Sequence, residues 1–361
     1  MIKLTFIGDI FPGDELFTNG FGIKSKTVEE NRQRWENNIK ETVGNANYII
    51  GNLESPLVND ADATSKTFYG IPMFADILKD SGVNVVNLAN NHIAEQGSEG
   101  FAKTVDTLHG KGIMTVGGLK ECEPEIITIE EEQTTICMAG FCDERVCAIA
   151  NPGCYASLDE EKVFKTLERM KKMRPDVIIF IFHWGNEYIH FPSLEQRTLA
   201  YKLIDNGVNL IIGHHPHVIQ PYEIYHGGHI IYSLGNFCFD DVQSAHFGKG
   251  MTAQITIQEK TIHDISYEGV LVQDMALGNN LVRKMNHQAF ERYVGKINSK
   301  YQTLKGLSNE EYEAAYQKAY RQAHTRERIL MRVNILKKVL DIRHHHRMQL
   351  LKNIKNYLIK K

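Results

Sequence analysis

Three histidines stand together in Gly213-His214-His215-Pro216-His217, at the exit of the apolar run 208–212. Neutral imidazole is a preferred ligand of zinc, iron, manganese and nickel, and histidines at i and i+2 around a proline turn can converge on one ion. The same grammar recurs upstream. Residues 2–7 end in Gly8-Asp9, residues 46–50 in Gly51-Asn52-Leu53-Glu54, and residues 177–182 in His183-Trp184-Gly185, while residues 83–88 lead to Asn90-Asn91-His92. Packing gives no reason to place Asp, Glu, Asn and His after successive apolar runs, whereas a metal centre assembled from several loops on a rigid sheet requires them there. The expected cofactor is a divalent metal, one or two ions of manganese, iron or zinc.

The elements that must position these residues are read from the same runs. Short Val, Leu and Ile stretches bounded by Gly predict strands covered on both faces, and ligands of α/β sheets gather at the carboxyl ends of such strands. Residues 31–43, 74–81 and 100–112 space apolar residues at three and four and predict helices between the strands, so the chain is α/β. Residues 125–128 and 134–141 predict a hairpin about Glu130-Glu131-Glu132-Gln133. Helical spacing returns over 158–173 and 193–206, where Ser193 and Gln196 are placed for a capping box. After His217, residues 223–225, 229–233, 251–258 and 261–272 predict an antiparallel meander. Near Leu277-Gly278-Asn279-Asn280 the texture changes to long charged helices without Pro, which divides the chain into residues 1–277 and a basic helical extension, 278–361, expected to pack on the body with a solvated basic face.

At 361 residues the chain can bury a large core. Its net charge of −3 conceals a split, because residues 281–361 hold 19 Lys or Arg against 6 Asp or Glu, a local +13 beside about −16 elsewhere. The six cysteines (Cys122, Cys137, Cys142, Cys147, Cys154 and Cys238) contain no Cys-x-x-Cys pair, which argues against a zinc ribbon or thioredoxin-like motif. Most are expected as free thiols, and for Cys142, Cys147 and Cys154, grouped around Asn151-Pro152-Gly153, this reading ranks ahead of a redox-sensitive cluster. No apolar span reaches bilayer length and the chain opens directly into a strand, so a cytoplasmic location is expected. His344-His345-His346 reads as basic surface, since consecutive helical residues point to different faces.

Six blocks in order carry a family resemblance: Gly8-Asp9, Asn52-Leu53-Glu54, Leu88-Ala89-Asn90-Asn91-His92, His183-Trp184-Gly185-Asn186-Glu187-Tyr188, Gly213-His214-His215-Pro216-His217 and Tyr232-Ser233-Leu234-Gly235-Asn236-Phe237. Together they resemble the bacterial capsule synthesis CapA family, also called poly-gamma-glutamate biosynthesis proteins, within the calcineurin-like metallophosphoesterase superfamily. The resemblance implies a four-layer α/β/β/α metallophosphoesterase-like sandwich with its metal site at the strand ends. It implies Asp9, Glu54, Asn91, His183, His215 and His217 as metal ligands, and His92 as the catalytic group that protonates the leaving group. Asn52, His214, Glu187, Tyr188 and Asn236 are expected to contact substrate.

Two departures from the phosphoesterase pattern stand out, and a third, at Glu95, from the capsule family's own usage. Asp9-Ile10-Phe11 replaces Asp-x-His, Asn52 stands where a bridging aspartate is usual, leaving Glu54 as its substitute, and Glu95 follows His92 where aspartate is more usual. The expected function is a metal-dependent, phosphoesterase-like hydrolase acting in capsule or extracellular polymer biosynthesis. The alternative is a non-hydrolytic capsule-assembly protein that binds an anionic polymer or a synthase partner. Expected partners are an anionic polymer or phosphorylated intermediate, with peripheral contact to the inner membrane or capsule synthesis machinery through the basic extension. Nucleic acid is not expected, because that extension lacks aromatic interleaving or a known motif.

Overall fold

A computed structural model describes residues 1–14, 16–65, 67–239, 248–272, 281–341 and 344–359, with the side chains of 326–346 and 357–359 excepted. The division at 277/278 and the His344-His345-His346 side chains therefore lie outside the described residues. In chain order, β1 (Ile2–Ile10), α1 (Ile23–Lys26), α2 (Glu29–Val43), β2 (Tyr48–Leu53), α3 (Met73–Asp80), β3 (Val83–Asn87), α4 (Gly97–Gly110) and β4 (Met114–Val116) form the first half. A short ribbon, β5 (Leu119–Lys120) and β6 (Glu123–Pro124), leads to the hairpin of β7 (Ile127–Glu131) and β8 (Thr134–Cys142). Then come α5 (Glu160–Lys172), β9 (Val177–His183), α6 (Leu194–Asp205), β10 (Leu210–His214), β11 (Tyr222–Tyr225) and β12 (Gly228–Ile231). The chain closes with β13 (Asn236–Cys238), β14 (Lys249–Gln258), β15 (Thr261–Val272), β16 (Val282–Lys284), α7 (His287–Lys305), α8 (Asn309–Asp341) and α9 (His344–Ile359). Ser193 and Gln196 do form a reciprocal capping box at the start of α6.

Two sheets result. The first runs β16-β15-β14-β1-β2-β3-β4 with β13 also on β1, and the second runs β11-β12-β10-β9-β8-β7. Strands β1 to β4 are mutually parallel, as are β8, β9, β10 and β12. Parallel strands joined through helices carry their carboxyl ends to one edge, which is where loops collect functional groups. Leu4, Phe6 and Val85 of the first sheet face Met138, Ile179 and Ile212 of the second in a shared apolar layer. Trp35, Phe74 and Leu108 from α2 to α4 cover the outer face of the first sheet, and Leu167, Leu203 and Tyr312 from α5, α6 and α8 cover that of the second. This is the four-layer α/β/β/α sandwich.

The meander expected after His217 is not formed as one sheet. β11 and β12 pair with each other in the second sheet, and β12 lies parallel to β10, whereas β14 pairs with β1 and β15 with β14 in the first. The chain changes sheets between them through residues 232–236, turning at Gly235 with φ +69. Local alternation of apolar residues cannot reveal such a change, because either sheet offers the same half-buried surface.

The C-terminal helices pack on this frame. Phe290, Val294 and Ile297 of α7 recur at four and three residues and enter the layer between the sheets. Beyond them Tyr301 donates to the buried Glu223 carboxylate at 2.9 Å, which also accepts from Tyr232 at 2.8 Å and pairs with Lys305. Tyr312 of α8 donates to the Pro192 carbonyl at 2.7 Å, and Asn353 of α9 donates to the carbonyls of Phe17 and Asn19. Among the described residues no helix is long and apolar enough to cross a membrane.

Candidate metal centre

The first sheet delivers its polar residues through a close approach of two strands. A Cβ on Gly8 would sit 2.0 Å from the Gly235 carbonyl oxygen, so only glycine lets β13 close against β1 there. That approach allows Asp9 N–H to donate to the Gly235 carbonyl at 2.9 Å and sets Asn236 beside Asp9. In the second sheet the β9 and β10 register puts His214 opposite His183. The chain then turns at Pro216 with His215 at φ +94 and His217 at φ +55. Residues other than glycine cost about 1–3 kcal/mol in such conformations, and they persist where surroundings hold them. Here the His215 N–H donates to Asp9 Oδ2 at 3.3 Å and the Tyr188 N–H donates to the Pro216 carbonyl at 2.9 Å.

These turns bring the expected ligands together between the two sheets. Glu54, His215 and His217 form one group whose ligand atoms lie within 4.8 Å of one another, and Asp9, Glu54 and His183 form a second. Glu54 belongs to both. His183 and His215 have ring centroids 4.8 Å apart, and His183 Nε2 lies 2.8 Å from Asn91 Oδ1. Glu54 is fully buried, yet neither carboxylate oxygen has a hydrogen-bond partner, the nearest imidazole nitrogens of His183 and His217 being 3.7 Å from Oε1. A buried carboxylate without hydrogen bonds is costly, and a cation with ligand bonds of about 2.1 Å between these groups would satisfy it. The donor set of imidazoles and carboxylates suits zinc, iron or manganese.

Electrostatics point the same way. Burial pushes the Glu54 carboxyl well above its usual range, and the neighbouring Asp9 charge adds to this against the pull of His217. Asp9 is buried too, but hydrogen bonds from His214 and His217 and their charges outweigh burial and hold it well below that range. Burial drives His183 down and His215 down to about 4, the neutral form that ligates. His217 goes the other way, up to about 10, because Glu54 and Asp9 outweigh its burial.

The remaining expected residues divide by position. Asn52 is buried scaffold: its Nδ2 donates to Asp9 Oδ1 at 2.9 Å, and its Oδ1 accepts from Asn87 at 2.9 Å and Asn90 at 3.3 Å. His214 is buried with Nδ1 2.9 Å from Asp9 Oδ1, and Asn236 Oδ1 lies 2.9 Å from His217 Nδ1. These three brace proposed ligands from behind. Glu187 is half-buried, its carboxyl raised by burial but held below the usual range on balance by His217 and His215. Tyr188 meets His324 of α8 edge-on, with centroids 6.1 Å apart. His92 stacks on Phe68 at 5.1 Å and turns Nδ1 toward Glu95 Oε1 at 3.0 Å. In the sequence Glu95 stands out only as a departure, and neither the Phe68 ring nor the Asn87 amide is singled out; the i, i+3 spacing of His92 and Glu95 is the signal for that one contact. Beside β9 a cavity of about 850 Å³ is lined by Asp143, Glu160, Glu195 and Glu313 with Arg145, so its wall is acidic.

Fold and site together define a four-layer α/β/β/α protein with candidate ligand groups for a divalent metal where its parallel strands end. Residues 3–241 match the model of the bacterial capsule synthesis protein PGA_cap family, and the chain belongs to that family. It is 30% identical to the capsule biosynthesis protein CapA of Bacillus anthracis over 256 residues, 66% of this chain and 60% of that protein, so it spans less than two thirds of that relative. It is 27% identical to the PGA biosynthesis protein CapA of Bacillus subtilis (strain 168), over 73% of this chain and 72% of that one. The calcineurin-like phosphoesterase YfkN from Bacillus subtilis superposes over 83% of this chain and 98% of that one with a TM-score of 0.46 at 14% identity, a likeness too remote to carry an argument.

Proposed function

We propose that the chain is a metal-dependent hydrolase of phosphoester-type bonds acting in capsule or extracellular polymer biosynthesis. The observation that carries this reading is Glu54, a buried carboxylate without hydrogen-bond partners at the junction of two ligand groups. Asp9, Glu54, Asn91, His183, His215 and His217 would hold one or two ions of manganese, iron or zinc. Such an ion, when bound, supplies Lewis-acid activation of water and neutralises charge on a phosphoryl group. His92 has Nδ1 engaged by Glu95, which fixes the ring and leaves Nε2 to carry a proton to the leaving oxygen. Phe68 and Phe11, whose ring lies edge-on to His92 with centroids 5.9 Å apart, restrict water around that imidazole.

A non-hydrolytic assembly role is the second reading, favoured by Phe11 and Asn52. Phe11 is buried, stacked on Phe239 at 5.0 Å, where the phosphoesterase pattern has an imidazole, and Asn52 is tied up in scaffold bonds. The acidic cavity beside β9 does not suit an anionic polymer, so under either reading an anionic partner docks elsewhere, with the basic C-terminal helices the proposed surface. Metal content of untagged protein, followed by assays on an aryl phosphodiester and an aryl phosphomonoester with manganese, iron or zinc, separates the two. Bound metal with turnover that is lost in Glu54→Gln supports hydrolysis; bound metal without turnover on either substrate supports the assembly role.

A further inference from the structure

Beside the proposed ligand His183, which Cys142 faces across the β8–β9 pair, two sulfurs meet where β8 ends. Cys142, the last residue of that strand, is buried, and Cys147 is half-buried just beyond the single 3-10 turn Glu144–Val146, with the two Sγ atoms 3.7 Å apart. Cys147 Sγ also lies 3.2 Å from the Tyr155 hydroxyl. A disulfide brings its sulfurs to about 2.05 Å, so closure asks for an approach of about 1.7 Å. β8 is held on both sides by β7 and β9 and cannot supply that movement. The turn can, because Glu144 and Arg145 are exposed and residues 148–150 beyond it are exposed as well.

We propose that Cys142 and Cys147 form a dithiol that a hydroperoxide closes to a disulfide. Cys147 is the attacking sulfur, being the one that solvent reaches. Its thiol is held below the usual range by its hydrogen bond with the Cys142 thiol, against burial, and the Tyr155 hydroxyl adds to the effect. The Cys147 thiolate attacks one peroxide oxygen: an S–O bond forms, the O–O bond breaks and the other oxygen leaves as water after taking a proton. The Cys142 sulfur then attacks the Cys147 sulfenic acid, an S–S bond forms, the S–O bond breaks, and the departing hydroxide takes the Cys142 proton. Two thiols lose two electrons and two protons, and hydrogen peroxide becomes two waters. The inference does not depend on the metal reading.

The test uses the full chain, reduced and then treated with hydrogen peroxide at a few equivalents. Free thiols counted in denaturant should fall from six to four and return to six with dithiothreitol. Trypsin cleaves after Arg145, and fragmentation of the linked 121–145 and 146–162 peptides should place the bridge between Cys142 and Cys147. Cys147→Ser, at a half-buried position that tolerates the change, should keep all five of its thiols at the same dose. A bridge from Cys147 to Cys154, a bridge between two molecules through the exposed Cys122, or Cys122 oxidised while Cys142 and Cys147 stay reduced would each overturn the proposal.

Discussion

Replacing Glu54 by Gln keeps the volume and removes the charge at the point both ligand groups share, and the structure predicts opposite effects with and without metal. Without metal, Glu54 is a buried carboxylate with no hydrogen-bond partner whose folded pKa lies well above the ordinary 4.5. A raised carboxyl contributes stability that is fully present below the unfolded pKa and is lost as pH climbs through the folded value. At pH 8 the wild type therefore carries a burden that Gln does not, and metal-free Glu54→Gln should melt no lower than wild type. With metal the order reverses. An ion at one hundred times its Kd stabilises the wild type by about 2.7 kcal/mol. For 361 residues the unfolding entropy converts this to a rise of about 3–4 °C in Tm. Glu54→Gln, lacking the shared ligand, should show almost none of that rise. Thermal melts in EDTA and in manganese, on both proteins, give the four numbers required. A variant that melts well below wild type in EDTA, or that gains the same rise with manganese, refutes the reasoning.

The other expectations concern roles around the site and the packing of the tail. His92→Ala should lower turnover by about 10²–10⁴ while keeping metal, because its ring faces Glu95 rather than a ligand, whereas His217→Ala should lose both; equal metal loss in the two would contradict this division. Because His217 stands at about 10 without metal, it holds a proton at pH 7 that a ligand must give up. Calorimetric metal titrations in buffers of different ionisation enthalpy should thus report at least one proton released, and identical heats would exclude it. Phe290→Ala, at a ring 1% exposed between the sheets, should cost about 3–5 kcal/mol, read as a fall of about 4–7 °C in Tm, whereas a change within 1 °C would show that α7 is only loosely attached. The full-length protein should sediment with anionic vesicles at low salt and be released at high salt, and failure to bind at low salt removes the membrane partner.

Much of the architecture was legible because the parallel strands are buried on both faces and so appear as unbroken apolar runs. The site was legible for the same reason: Asp9, Glu54, His183 and His215 stand at the ends of such runs, and no packing need explains them there. What escaped is non-local. Nothing in residues 229–258 marks the change of sheet at Gly235, since a strand's partner is chosen by surfaces far away in sequence. The sequence assigns His214 to substrate contact, whereas in the fold its Nδ1 lies 2.9 Å from the carboxylate of Asp9, a residue of the other sheet. That the tail's helices pack on the body was legible, but which of their residues do so was not: Phe290, Val294, Ile297 and Tyr301 form the apolar stripe of α7 among 19 cationic residues of the tail.

The candidate ligands are split between the layers: Asp9, Glu54 and Asn91 stand on loops and ends of the first sheet, His183, His215 and His217 on those of the second. An ion held there would act as a rivet through two plates. Sliding one plate by about 1 Å would stretch several bonds of about 2.1 Å at once, so occupancy and alignment of the plates report on each other reciprocally. Heating that loosens the apolar layer around Met138, Ile179 and Phe290 should then expel the ion before the helices melt, and the last metal lost should mark the moment the two plates cease to move as one body.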